Sequence, residues 1–339
     1  MIGFASGRVG LDPGSANTLM YVEGRGVAVN EPSLVTVRAS TGDIEAVGRE
    51  AEAGLGRTPT KFRTERPIRG GIITDLKLFE GMLGRFLRQA HILGSLHRLK
   101  VVAAVPSGTT EVDRRAAVES LRNAGATCVW IVEQALAAAW GAGLPVDESR
   151  GRMVVNIGAG VTDIAVLSLG SIVHARSIRV AGNEMDAAIM AYVRSAHQLA
   201  IGERTAERLK IEIGSALPGP EERTLRIKGR CAARGIPREA AIRDGEIRDA
   251  LSAPVQRIVN ALREALEEVP PELSADLVET GIVLTGGCAL LRNLDRCISN
   301  ACGLPVRVAG NPLACVILGL AHQLNCLRPR DWRRFGNVA

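Results

Sequence analysis

Apolar and polar positions alternate in short runs over the first fifty residues. RVGLD (8–12), TLMYV (18–22), GVAVN (26–30), SLVTVR (33–38) and IEAVG (44–48) are separated in most cases by Gly, Asn, Pro or Asp, and read as strands. The period then lengthens: Leu76, Phe79, Met82, Leu83, Phe86, Leu87 and Ala90 fall on one helical face within 76–99. KVVAAVPS (100–107) reads as a buried strand. A helix over 110–124 follows, opened by Thr110 with Asp113 at capping-box spacing and closed by Gly125. Next come the strand ATCVWIV (126–132) and the small-residue helix QALAAAWGAG (134–143). Strand patterns return over 152–180, and helical ones cover 183–200 and 204–216. A polar stretch, 217–240, holds one strand, TLRIKG. The pattern then predicts a long helix over 244–268, perturbed at Pro254. Strand GIVLTGG, a helix and strand PVRVAG lead to a final helix from Pro312. Strand clusters and helices alternate twice, which predicts an α/β protein with two related lobes.

One motif recurs. Residues 11–18 read LDPGSANT and residues 155–162 read VNIGAGVT. Each has an acid or amide (Asp12, Asn156), a glycine two positions on (Gly14, Gly158) and a threonine six on (Thr18, Thr162). Each follows an apolar run and precedes a β-rich one, as a hairpin turn would. Small residues (Gly14, Ser15, Ala16 and Asn17 in one copy, Gly158, Ala159 and Gly160 in the other) present successive N–H groups as an anion nest. Without bulk there, phosphate oxygens reach hydrogen-bonding distance. Asp12 and Asn156 would lie near such phosphates and could hold a water of bound Mg²⁺. A single copy reads equally well as an ordinary hairpin; two copies in register favour phosphate. A third glycine cluster, LTGGCALL (284–291), places Gly286, Gly287, Cys288 and Ala289 at a strand-to-helix junction, a common nucleotide contact.

Composition narrows the function classes. At 339 residues and 46% hydrophobic the chain exceeds the usual single domain. A boundary near 143 is expected, with 1–143 and a returning 310–339 in one lobe and 144–309 in the other. Mean hydropathy is +0.12, and no window of about 18 residues escapes charge or heavy glycine, so no spanning helix is expected. The start, MIGFASGR, lacks the basic region of a signal peptide, and the expected location is cytoplasmic. The net charge of +6 is scattered, and aromatics make up only 3%, leaving few platforms for base stacking; no nucleic-acid partner is expected. Seven cysteines include no C-x-x-C pair and read as reduced, mostly buried thiols. The five histidines show no ligand spacing.

LDPGSANT with NEPSLVTV, GRTP, ERPIRGGIITD, VPSGTTEVDRR, AAAWGAGLP, NIGAGVTD, TAERLKIEIG, GIVLTGGCALLRNLD and LPVRVAGNPLACVILG run in one order from residue 11 to about 320. In that order they resemble the MreB family of bacterial actin-like ATPases. The resemblance implies a two-lobed, ribonuclease-H-like fold with ATP and Mg²⁺ in a cleft between the lobes. Asp12 to Thr18 and Asn156 to Thr162 then look like the first and second phosphate loops, with Asp12 and Asn156 acting on the metal through water. Glu207 and Lys210, with Arg208 between them, resemble the ribose and adenine contacts, and Gly286 to Ala289 the adenosine loop. Gln134, with Glu133 beside it, is the residue type that orients attacking water in eukaryotic actin. The implied partners are further copies in a filament, a membrane surface at the inner face of the cell membrane, and the cell-wall synthesis machinery.

The departures from the family are as informative. Asn156 stands where the family has an aspartate, Ala159 where it has glycine, Val161 threonine, and Cys288 the third glycine under the base. Pro13 removes an N–H from the first loop. Gln134 and Ala135 replace the usual Glu-Pro. These imply ATP binding with slow hydrolysis, or a non-hydrolysing paralogue that modulates filaments. A small-molecule kinase of the same fold would need a further carboxylate as base, and none remains after the nucleotide assignments. A chaperone-like ATPase would need a separate peptide domain, for which no residues remain. Plainer readings are a helix cap at Glu133 and Gln134, and an exposed Glu207–Lys210 pair. For RPRDWRRFGNVA, with Trp332 and Phe335, a frayed terminus with little packing is expected over lipid contact. Met1–Ala5, Leu93 and Leu96 are candidate membrane contacts.

Overall fold

The computed structural model describes residues 7–91, 99–328 and 331–332. Met1–Ala5, Leu93, Leu96, His97 and Phe335 therefore lie outside the described residues. The chain divides into two units, Met1–Val146 with Leu313–Ala339, and Asp147–Pro312.

In the first unit, five strands lie in the order Ala126–Glu133, Leu99–Val105, Arg8–Pro13, Asn17–Val22, Gly26–Pro32. Arg8–Pro13 pairs antiparallel with Asn17–Val22 and parallel with Leu99–Val105. The second unit repeats this plan: Val306–Val308, Ile282–Thr285, Arg152–Ile157, Thr162–Ser168, Ser171–Ile178. Arg152–Ile157 again pairs antiparallel with the next strand and parallel with Ile282–Thr285. The register coincides as well, Asp12 opposite Leu19 in one sheet and Asn156 opposite Asp163 in the other. The sequence repeat is thus a repeat of topology, and each glycine turn closes the first hairpin of its sheet.

Amphipathic helices cover these sheets. Phe79, Met82, Leu83 and Phe86 of Leu76–Gln89 join Val9, Leu11, Met20 and Val101 in one core. Met185, Ile189 and Val193 of Gly182–His197, with Leu251 and Ile258 of Asp244–Glu267, bury against Val155, Ile164 and Val166 in the other. Thr110 caps Glu111–Asn123 as its spacing predicts, its hydroxyl accepting from the Asp113 amide at 3.2 Å. In the first unit, Gln134–Gly141 and Cys315–Cys326 pack backbone to backbone. A Cβ at Gly319 would collide with the Ala137 carbonyl, and one at Gly141 with that of Cys315.

Several expectations need correction. The helix expected over 76–99 ends at Gln89, that over 183–200 ends at His197, and Leu199–Ala200 form a short strand. Pro254 is accommodated inside one continuous helix, Asp244–Glu267, with its ring buried. The stretch 217–240 contributes a hairpin, because a second strand, Pro237–Arg243, pairs with Thr224–Cys231. Trp332 is not frayed: it is 2% exposed, and the Lys100 ammonium lies 5.3 Å from its ring centroid. Among the described residues no three His, Cys, Asp or Glu gather as a metal cluster, and no helix is long and apolar enough to cross a membrane.

Candidate functional site

The two turns share a hydrogen bond. The Gly14 amide donates to the Asn17 carbonyl at 3.0 Å, and the Gly158 amide donates to the Val161 carbonyl at 2.9 Å. Among the described residues, the amides of Ser15 and Ala16 in the first turn, and of Ala159, Gly160 and Val161 in the second, donate to no acceptor within the chain. Neighbouring amides freed in this way form the kind of concavity that accepts an anion. The sequence makes it possible: a Cβ at Gly14 would sit 2.7 Å from the Asn17 carbonyl oxygen, so only glycine fits.

Thr18 and Thr162 are fully buried and brace the turns from behind. Thr18 shares a 2.8 Å hydrogen bond with the Ser33 hydroxyl, which donates to the Gly14 carbonyl at 2.6 Å. Thr162 donates to the Val180 carbonyl at 2.7 Å. Ser15 Oγ accepts from the Gly71 amide at 3.1 Å, and Asn17 is exposed. Ser33→Ala would leave the Gly14 carbonyl and the Thr18 hydroxyl short of a partner. We expect a loss of about 1–2 kcal/mol, read as a lower denaturation midpoint; an unchanged midpoint would remove Ser33 from this role.

In the first unit, Gln134 Nε2 donates to Asp12 Oδ1 at 3.2 Å, joining residues 122 positions apart. Glu133 occupies the N-cap position of Gln134–Gly141 but makes no side-chain cap. The plain capping reading of these two residues therefore fails. Burial pushes the Asp12 carboxyl up to about 6, and the Gln134 hydrogen bond partly offsets this. Asp12 thus changes charge near neutral pH, where an ordinary aspartate would not.

In the second unit, Asn156 is 5% exposed, and its Oδ1 accepts from the Thr285 hydroxyl at 3.2 Å. Gly286 has φ +82, and a Cβ there would clash with the Ile157 carbonyl and approach Asn156 Oδ1 to 2.9 Å. Glycine is required at this junction for both reasons. Gly287–Leu290 follows as a single 3₁₀ turn with Cys288 and Ala289 buried. Cys288 Sγ donates to the Gly158 carbonyl at 3.2 Å, and burial pushes the thiol up to about 11. That carbonyl also accepts from the Gly182 amide at 3.2 Å, while the Ala159 carbonyl accepts from Asn183 at 2.7 Å. The second turn is thereby fastened to the first turn of Gly182–His197.

Lys210 belongs to this assembly. Its ammonium pairs with the Asp186 carboxylate at 2.8 Å and donates to the Gly182 carbonyl at 3.2 Å. Burial lifts Asp186 to about 6 despite the opposing pull of Lys210. Lys210 therefore turns inward rather than to Glu207, which is exposed. Arg208 points elsewhere, its guanidinium donating to the Arg226 carbonyl at 3.3 Å. Ser33, Gly182, Asp186 and Thr285 are absent from the sequence reading. Each acts on a partner 15 or more positions away. Only GN (182–183), opening a helix after a strand, carries any local sign.

Two sheets of one topology, each with an anion-accepting turn, have the architecture of the actin-like fold. MreB5 of Spiroplasma citri, solved with AMPPNP and with ADP, superposes with a TM-score of 0.90 at 38% identity, over 94% of this chain and 96% of that one. A MamK double helical filament matches with a TM-score of 0.81 over 95% of this chain and all of that one; at 19% identity it supports the fold alone. The family described as MreB/Mbl protein matches residues 6–330, and the chain belongs to it. The cell shape-determining protein MreB of Escherichia coli K12 is 47% identical over 322 residues, 94% of this chain and 93% of its own. The cell shape-determining protein Mbl of Bacillus subtilis 168 is 38% identical over 317 residues, 94% and 95% of the two chains.

Proposed function

We propose that this family member binds ATP with Mg²⁺ through both turns and polymerises with its own copies. In this reading it works in the cytoplasm at the inner face of the membrane, where it organises cell-wall synthesis and so sets cell shape. The observation that carries the reading is the duplicated turn, with the same internal hydrogen bond at Gly14 and Gly158 and free amides in each. It agrees with MreB5 having been solved with AMPPNP and ADP, and with MamK forming a filament. Asp12 and Asn156 offer hard oxygen atoms suited to Mg²⁺ held through water. The ion supplies charge neutralisation of the phosphates when bound. Gln134, anchored on Asp12, is placed to orient a water, and Lys210, Glu207 and the Gly286–Ala289 turn serve the nucleoside.

The charge state of Asp12 makes this testable. An acid whose carboxyl sits near 6 is protonated at pH 5 and ionised at pH 7, and only the ionised form favours a metal. Mg·ATP affinity should therefore fall about tenfold from pH 7 to pH 5, and Asp12→Asn should remove that dependence. Calorimetry at both pH values decides it; a parent profile as flat as that of the variant would remove Asp12 from the metal role.

Asn156 favours one variant of the reading. A neutral amide, already accepting from Thr285, supplies less field to a metal-bound water than a carboxylate. Slow turnover follows, and with it the possibility of a paralogue that modulates filaments by binding ATP rather than hydrolysing it.

A further inference from the structure

The long helix Asp244–Glu267 spans about 36 Å at 1.5 Å per residue. Its two ends carry opposite charge. The hairpin formed by Thr224–Cys231 and Pro237–Arg243 runs directly into its first turn. That hairpin holds Arg226, Lys228, Arg230, Arg234, Arg238 and Arg243 against one carboxylate, Glu239. Arg226, Lys228 and Arg230 alternate with buried or half-buried residues, so they form an outward row about 7 Å apart. The far part of the hairpin stays at the same end of the helix. Arg238 donates to the His197 carbonyl at 2.9 Å, and the His197 ring meets Glu246, in the first helical turn, at 2.5 Å. Lys228 pairs with Glu239 at 3.2 Å and Arg243 with Glu222 at 3.5 Å, both solvent-exposed contacts.

At the other end, residues 264–280 contain Glu264, Glu267, Glu268, Glu272, Asp276 and Glu279 and no Lys or Arg. Arg176 from the strand Ser171–Ile178 engages Glu264 and Glu268, and Arg150 engages Asp276 and Glu279. Glu267 and Glu272 are exposed beyond these pairs. Each pole also carries one exposed apolar side chain: Ile236 (53% exposed) at the hairpin tip, and Val278 (63%) on the helix Pro271–Thr280. The last turn of the long helix has no basic residue. Acids there oppose the helix dipole, and a row of like charges repels itself, so neither pole is arranged for the stability of a lone subunit. Opposite poles at the two ends of one rigid element suit a heterologous, head-to-tail contact, which propagates without closing.

We infer that the basic hairpin 224–243 of one copy docks on the acidic 264–280 end of the next, with Ile236 and Val278 in the apolar centre and the charges around it. The inference rests on the self-association reading above and gives it a surface. The contact is electrostatically steered, so its strength falls with salt.

The test is a charge swap read by sedimentation and light scattering, with ATP and Mg²⁺, at 50 and 300 mM KCl. Arg226→Glu/Arg230→Glu and, separately, Glu267→Lys/Glu272→Lys should each raise the critical concentration at least tenfold at low salt. An equimolar mixture of the two doubly substituted proteins should recover part of the assembly, since each supplies one matched pole. A single chain carrying all four changes should return to within about threefold of the parent. All four side chains are exposed, and circular dichroism melts should match the parent. If the parent assembles and the reversed proteins assemble equally well, the inference is overturned while self-association stands. Reversed proteins that assemble normally but lose binding to phosphatidylglycerol vesicles or to duplex DNA would assign the hairpin to those partners instead. A parent that stays monomeric at both salts overturns the inference together with the reading beneath it.

Discussion

Gly14→Val is expected to weaken ATP binding about a hundredfold, equivalent to about 2.7 kcal/mol. A Cβ at position 14 would sit 2.7 Å from the Asn17 carbonyl oxygen, inside any real contact distance, and the γ-methyls of valine add to the overlap. The turn must open to relieve this, which breaks the Gly14-to-Asn17 hydrogen bond and disperses the Ser15 and Ala16 amides. Overpacking of a fixed site ordinarily costs about 1–3 kcal/mol, in line with the expected loss. Gly158→Val should be milder, roughly tenfold, because the nearest atom to its Cβ, the Val161 carbonyl oxygen, is 3.3 Å away. Calorimetry on the parent and both variants measures this directly. Parent-like affinity in Gly14→Val would mean that the first turn does not cradle phosphate.

Asn156→Asp is expected to raise ATP turnover at least tenfold, a change of about 1.4 kcal/mol in the barrier. The substitution preserves shape and the acceptor for the Thr285 hydroxyl, and it adds the full charge that a metal-bound water lacks. Because the position is 5% exposed, the new carboxylate should also cost about 1–3 kcal/mol of stability in the nucleotide-free protein, offset when Mg·ATP is bound. Phosphate release by the two proteins, with melting curves with and without nucleotide, separates the effects. A variant no faster than a parent of measurable activity would contradict the role given to Asn156; inactivity in both would turn attention to Pro13, Ala159 and Val161.

What could be seen in the chain beforehand follows from where the information lies. Strands flanked by glycine or proline, such as those around LDPGSANT and VNIGAGVT, announce themselves because both apolar run and turn are local. The strand Pro237–Arg243 went unseen because only Ile242 in it is fully buried, leaving no apolar rhythm. The helix Pro271–Thr280 is equally quiet, with Leu277 its only buried side chain. Pro254 gave the wrong signal: burial against the core outweighs the missing amide hydrogen bond. At the site, repetition revealed the turns, but the supporting residues could not be read the same way. Ser33 acts on Gly14 and Thr18, Asp186 on Lys210, and Thr285 on Asn156, all through partners that only the folded chain brings near.

The glycine-lined packing of Gln134–Gly141 against Cys315–Cys326 also has a bearing on synthesis. The unit formed by Asp147–Pro312 is continuous in sequence, whereas its partner unit needs residues that come after it. On the ribosome, the second half of the chain has all its parts by residue 312. The first half, made earlier, must wait with the faces around Ala137 and Gly141 uncovered until the last helix emerges. Maturation therefore runs against the order of translation, and a stall or truncation ahead of Cys315 would release one finished half attached to one that cannot close.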